Sequence, residues 1–168
     1  NRPQWLMFIH PYAVRQGLGI DDVGGACFLT PLAIASKLGH AESVRALCEA
    51  LRANVNARVG TSGQKDVGAT ALFLTAREGR REICEYLVKE RSADVNAVLD
   101  DGSSPLAATR VPAIVKLLIE NGAQVESLVT RTNNMMWTGY EKYPALELMK
   151  LFLAAGGGSI VNRKAGYM

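Results

Sequence analysis

Few residues in this chain have the types and spacing that chemistry would need. Of 168 residues only two are histidines, His10 and His40. Catalysis requires a nucleophile, a base and a stabiliser brought together, or a metal with an open position. His40 follows Gly39 at the reversal between two helical patterns, and His10 stands beside Pro11, where it reads as a partly exposed cap residue. The stretch "GTSGQK" (60–65) has the residue types of a phosphate-cradling loop without the G-x-x-x-x-G-K-[ST] spacing, so it reads as a polar insertion. "AAGGGS" (154–159) follows a helical pattern instead of opening one, and reads as a helix end with a flexible segment. Asp21-Asp22 and Asp100-Asp101 would suit a cation, yet neither continues into a calcium-loop pattern; they read as turn residues. Cys27, Cys48 and Cys84 are odd in number and widely spaced, which fits neither a disulfide framework nor a zinc site. They are expected to be reduced, buried thiols, favouring an intracellular compartment, cytoplasmic or nuclear. No cofactor and no metal are expected, and the chain is not expected to be an enzyme.

Composition narrows the class further. The chain is 48% hydrophobic and 21% charged, as ordinary folded protein is. Its net charge of +3 is spread along the sequence and makes no case for nucleic acid or anionic lipid. The longest apolar runs, such as "MKLFLAA" (149–155), fall well short of the roughly 18 to 20 residues of a membrane span. No secretory signal pattern opens the chain, and the absence of an initial Met reads as a processed or excised piece. Arg77, Arg80 and Arg81 form the sharpest charged feature; Glu78, Glu82 and Glu85 balance them on a solvated face, and contact with an acidic partner is the other reading. Trp137, Tyr140 and Tyr143 read either as an interface anchor or as core of a final structural unit.

The elements that position all these residues recur. "TPLAIASKLGHAESVRALCEALRANVNA" from Thr30 is echoed by "TALFLTAREGRREICEYLVKERSADVNA" from Thr70, and "SPLAATRVPAIVKLLIENGAQVE" begins a third copy at Ser104. Thr30 to Thr70 is 40 residues and Thr70 to Ser104 is 34, with six extra residues in the loop "ARVGTSGQKDVGA" accounting for the difference. A period of 34 with a helix-pair pattern predicts a stacked array. Thr30, Thr70 and Ser104 stand where a hydroxyl can cap a first helical turn, and Pro31 and Pro105 suit its first position. Gly39 and Gly79 suit the reversal that follows. The second helix of each copy carries apolar residues at helical spacing, such as Val44, Leu47, Cys48 and Leu51.

"TPLAIASKLGH", an apolar helix and then "NVNA" resemble the ankyrin repeat, whose signature opens T-P-L-H-x-A. The resemblance implies an all-α solenoid of stacked helix-turn-helix repeats with projecting β-turn fingers, four to five repeats including worn ends. Residues 1–29 form the degenerate first copy, 30–69, 70–103 and 104–133 the clear ones, and 134–168 the degenerate last. "VRQGLGIDDVGGACFL" (14–29) places Gly17, Ile20 and Asp21 where Gly122, Val125 and Glu126 stand. The resemblance gives His40 a structural part in its turn. The family's histidine of T-P-L-H, which hydrogen-bonds within and between repeats, is replaced by Ala33, Phe73 and Ala107, so a less stable array is expected. The third copy lacks three residues between its helices, predicting a short inner helix and a restart at Pro112.

By the same resemblance the chain is expected to bind a partner protein or peptide on its concave side, without catalysis and as a monomeric domain. Lys37, Leu38, Arg77, Glu78 and Arg110 would act from inner helices, and Val98, Leu99, Asp100, Asp101 and Ser103 from one finger. Arg58, Gln64, Lys65 and Asp66 would act from the longer finger. The alternative is a recruiting or targeting domain of a larger enzyme whose catalytic part lies elsewhere.

Overall fold

The computed structural model describes residues 19–21, 29–60 and 67–124. Within them run α1 (Pro31–Leu38), α2 (Ala41–Glu49), α3 (Ala71–Arg77), α4 (Arg81–Lys89), α5 (Pro105–Ala108) and α6 (Pro112–Glu120). The first helix of each copy starts for the reason the sequence suggests. Thr30 Oγ1 accepts from the Ala33 amide at 3.2 Å, Thr70 Oγ1 from Phe73 at 3.3 Å and Ser104 Oγ from Ala107 at 3.1 Å. Such a cap contributes about 1 kcal/mol.

Each reversal is fixed by the next copy. Gly39 has φ +84, and a Cβ there would lie 2.9 Å from Arg80 Nε; a Cβ on Gly79 would lie 3.0 Å from Val111 Cγ2. The first residue after one reversal is thus seated on the glycine of the preceding reversal, which sets the copies in register. His40 holds its turn through its backbone, donating its N–H to Ala35 O at 3.0 Å; its imidazole makes no cap bond. Arg80 repeats that backbone bond to Thr75 O at 2.9 Å.

The array has two layers. Inner helices α1, α3 and α5 pack side by side, each also packs on its own outer helix, and α2, α4 and α6 touch in series behind them. Leu32, Val44, Leu47, Leu72, Leu87, Leu106, Ile114 and Leu118 fill the space between the layers, running through all three copies as one core. No pair could bury that face alone. The third copy shows the expected economy: α5 has 4 residues against 8 in α1, and α6 restarts with Pro112 in its first turn.

A second apolar cluster lies where fingers meet inner helices. Phe73 and Ala33 join Val59, Ala69, Leu74 and Leu99 there. Two of the positions that lost the family's histidine are therefore filled by apolar contact, which replaces hydrogen bonding as the local tie.

A polar ladder joins successive loops. Asn54 Oδ1 accepts from the Asn56 amide at 3.0 Å, and Asp94 Oδ1 from Asn96 at 2.9 Å, closing Asx turns within each copy. Across copies, Asn56 Oδ1 accepts from the Asp94 amide at 2.9 Å and Asn96 Oδ1 from the Gln124 amide at 2.8 Å. Asp21 Oδ1 does the same for the Asn54 amide at 2.8 Å, and Ile20 beside it packs against the main core, so the first copy is tied to its successor by both kinds of contact.

Candidate functional site

The surface formed by inner helices and fingers is built from the turns upward. The Leu99 amide donates to Ser103 O and the Gly102 amide to Leu99 O, both at 2.9 Å, which closes a hairpin loop over Asp100, Asp101 and Gly102. The longer finger closes where Val59 pairs with Ala69, its amide donating to Ala69 O at 2.9 Å. The two fingers also bond each other, since the Asp100 amide donates to Val67 O at 3.1 Å. An ion pair accompanies that bond: Arg58 Nη2 lies 3.0 Å from Asp100 Oδ1. Both groups sit over Gly68, whose φ is +81; a Cβ there would meet the Arg58 guanidinium and lie 2.7 Å from Asp100 Oδ1.

Several residues expected at a partner contact are exposed, and others are not. Lys37, Leu38, Glu78, Val98, Asp100, Asp101 and Arg110 are exposed. Leu99 and Ser103 are corrections to that set. Leu99 is only 6% accessible because its side chain enters the cluster beneath the fingers, and Ser103 is only 3% accessible, its amide and hydroxyl both donating to Asp101 Oδ1. Both side chains are buried within the finger. Arg58 and Asp100 are spent on each other, and Arg77 is held by Glu78 at 3.2 Å with its guanidinium 5.8 Å from the Phe73 ring centre. Gln64, Lys65 and Asp66 lie outside the described residues, as do His10, Cys27, Trp137, Tyr140, Tyr143 and the glycine run at 156–158.

Ile34 was missed by sequence reasoning. It is 39% accessible and stands one turn before Leu38, which is 56% accessible, so α1 presents two aliphatic side chains at i and i+4. The helical spacing was available in the sequence. Spacing alone does not show exposure, since the equivalent residue of the next copy, Leu74, is buried.

The two described cysteines are poor nucleophiles. Burial pushes the Cys84 thiol up to about 11 and also raises Cys48, so both remain neutral and poorly nucleophilic. Burial, with help from neighbouring Cys48 and Glu49, pushes Tyr86 up to about 12; its hydroxyl donates to Glu49 Oε1 at 3.1 Å while Arg45 covers its ring at 4.6 Å. Tyr86, Glu49, Arg45 and Cys48 join outer helices α2 and α4, whereas the Cys84 thiol meets Thr75 of inner helix α3. Among the described residues no group of three or more His, Cys, Asp or Glu side chains comes together to hold a metal. No described helix is long and apolar enough to cross a membrane.

A family model of ankyrin repeats, three copies long, matches residues 9–99. The chain belongs to the ankyrin repeat family. That match takes in much of the worn first copy and the two copies from Thr30 and Thr70, whereas the ankyrin-like pair from Ser104 follows it in the stack. Over 99 residues, 57% of its own length, the chain is 35% identical to the E3 ubiquitin-protein ligase KEG of Arabidopsis thaliana. It spans 5% of that relative's length. Ankyrin repeats generally mediate protein–protein interaction and are typically non-catalytic.

Proposed function

We propose that this ankyrin array recognises another protein on the side built by its inner helices and fingers, as a monomeric, intracellular module that makes and breaks no bonds. The observation that carries the reading is the exposure of Ile34 and Leu38 on one inner helix, beside the exposed cation Lys37, while the equivalent Leu74 is buried. Aliphatic side chains bordered by charge are what the centre and rim of an interface require. The contact set is Ile34, Lys37, Leu38, Arg77, Glu78, Val98, Asp101 and Arg110, joined by Gln64, Lys65 and Asp66 of the long finger.

The experiment is a pull-down from cell lysate with the folded chain as bait, compared with a Lys37→Glu/Arg110→Glu variant and read by mass spectrometry. A protein held by the native chain and lost with the variant is expected. Identical capture by both sinks the assignment of this side.

A second reading is favoured by the resemblance to a stretch of a much longer ligase: the array recruits a target for catalysis carried elsewhere in a larger polypeptide. The full reading frame decides it. A frame containing no catalytic domain would overturn it.

A further inference from the structure

We infer that the inner-helix row takes an acidic segment of another protein that carries an aliphatic residue near one end; the inference rests on the proposed function above. Its first support is register. Arg80 seats on Gly39 and Val111 on Gly79, so the residues just before each reversal fall in line down the stack: Lys37 with Leu38, then Arg77 with Glu78, then Arg110.

Its second support is charge. Along this row Glu78 is engaged by Arg77, and on the adjacent finger Asp100 is engaged by Arg58 while Asp101 is held by the Ser103 amide and hydroxyl. Lys37 and Arg110 are exposed and have no anionic partner within ion-pair distance among the described residues. Among the described residues, the charges of this row left without an ion-pair partner are thus both positive: Lys37 on α1 and Arg110, which lies just after the end of α5 and not on it as expected. Between them the paired Arg77 and Glu78 form a neutral step.

Its third support is the ledge of Ile34 and Leu38, which shares α1 with Lys37. Nucleic acid would gain little from two aliphatic side chains, whereas a peptide side chain would gain by covering them. Packed helices stand about 8–10 Å apart, so Lys37 and Arg110 are separated by two such steps, roughly 20 Å. An extended chain covers that distance in about six residues. The occupant therefore has acidic residues about six apart, with the aliphatic residue beside the first.

The test uses fluorescence anisotropy with labelled peptide pools of about twelve residues, long enough to cover the row. One pool fixes two glutamates at that separation with a leucine beside the first. A second replaces the glutamates with lysines, a third replaces the leucine with serine, and a poly-uridine oligonucleotide is the fourth probe. The first pool is expected to bind best, to weaken about tenfold with Lys37→Glu/Arg110→Glu, and to weaken in high salt. Leu38→Ser is expected to abolish the advantage of the first pool over the third. If the double variant melts early by circular dichroism, Lys37→Met/Arg110→Met gives the same comparison without charge reversal.

Preference for the lysine pool, strengthened by Lys37→Glu/Arg110→Glu, would overturn the acidic occupant while leaving groove binding intact. Oligonucleotide binding indifferent to Leu38→Ser would overturn it in favour of nucleic acid. Absence of variant-sensitive binding to any pool also overturns the inference, whereas the proposed function falls only if the pull-down is insensitive to the same charges.

Discussion

Arg58 Nη2 and Asp100 Oδ1 meet at 3.0 Å across 42 residues of sequence, so a cation of one finger and an acid of the next are committed to each other. The pair is half exposed, and such pairs contribute about 0–1 kcal/mol. Gly68 beneath it holds a left-handed backbone that a side chain would resist by about 1–2 kcal/mol and that leaves no room for a Cβ. Arg58→Ala is therefore expected to shift the urea midpoint less than Gly68→Ala does. The reverse order would mean that the ion pair, and not the backbone under it, holds the fingers together.

Asn56→Ala removes the acceptor for the Asp94 amide and is expected to cost about 0.5–1.5 kcal/mol. Asn56→Asp keeps an acceptor of the kind Asp21 provides one copy earlier, so it is expected to cost less than the alanine. Equal losses in denaturant unfolding would show that the rung contributes nothing specific.

Leu72→Ala empties a site with no solvent access at the middle of the continuous core, and is expected to cost about 2–5 kcal/mol. A shift within the noise of the denaturant midpoint would contradict the packing described.

Ser92 has φ +52 and Arg52 φ +54 just after the outer helices of two copies, while Gly122 takes φ +86 just after the outer helix of the third. An L residue there carries strain that glycine avoids. Ser92→Gly is expected to raise stability by about 0.5–1 kcal/mol, read as a higher melting temperature. A lower one would show that Ser92 holds the loop by means other than its backbone.

The folded chain keeps the Cys84 proton to about 11, against 9.0 for an exposed thiol, because burial disfavours the thiolate. The folded state then binds more protons than the unfolded state in that window, and stability falls as pH rises through it. Tyr86, moved from 10.0 to about 12, extends the loss in the same direction. Thermal midpoints are expected to decline above about pH 9, less steeply in Cys84→Val. Identical alkaline slopes would remove Cys84 as a cause.

The helix starts were legible because their causes are local: a hydroxyl at Thr30, Thr70 or Ser104 and the residues just after it decide a first turn. The shortened α5 was legible for the same reason, three missing residues before Pro112. Pairings through space were not. Nothing near Asn56 says that its carbonyl meets an amide 38 residues away, although the recurrence of "NVNA" and "DVNA" marked the place. Leu99 was misjudged because its burial comes from a cluster with Val59, Ala69 and Phe73 that its sequence neighbours do not announce. The pairing of Arg58 with Asp100 needed both fingers to be in place before either charge could be counted as used.

The rungs from Asp21 to Asn54, Asn56 to Asp94 and Asn96 to Gln124 all point the same way, a side-chain oxygen of the earlier copy receiving a backbone amide of the later one. The array therefore has a grammar of addition. A newcomer on the C-terminal side needs to offer only a main-chain N–H, which every residue but proline has, whereas one on the N-terminal side must bring a carboxamide or carboxylate at one fixed place. Tandem duplication of the 70–103 segment would create its own joint, with Asn96 of the first duplicate already shaped to receive the second. Lengthening by duplication is thus open to this chain without a compensating mutation in the ladder, and it leaves each original rung undisturbed.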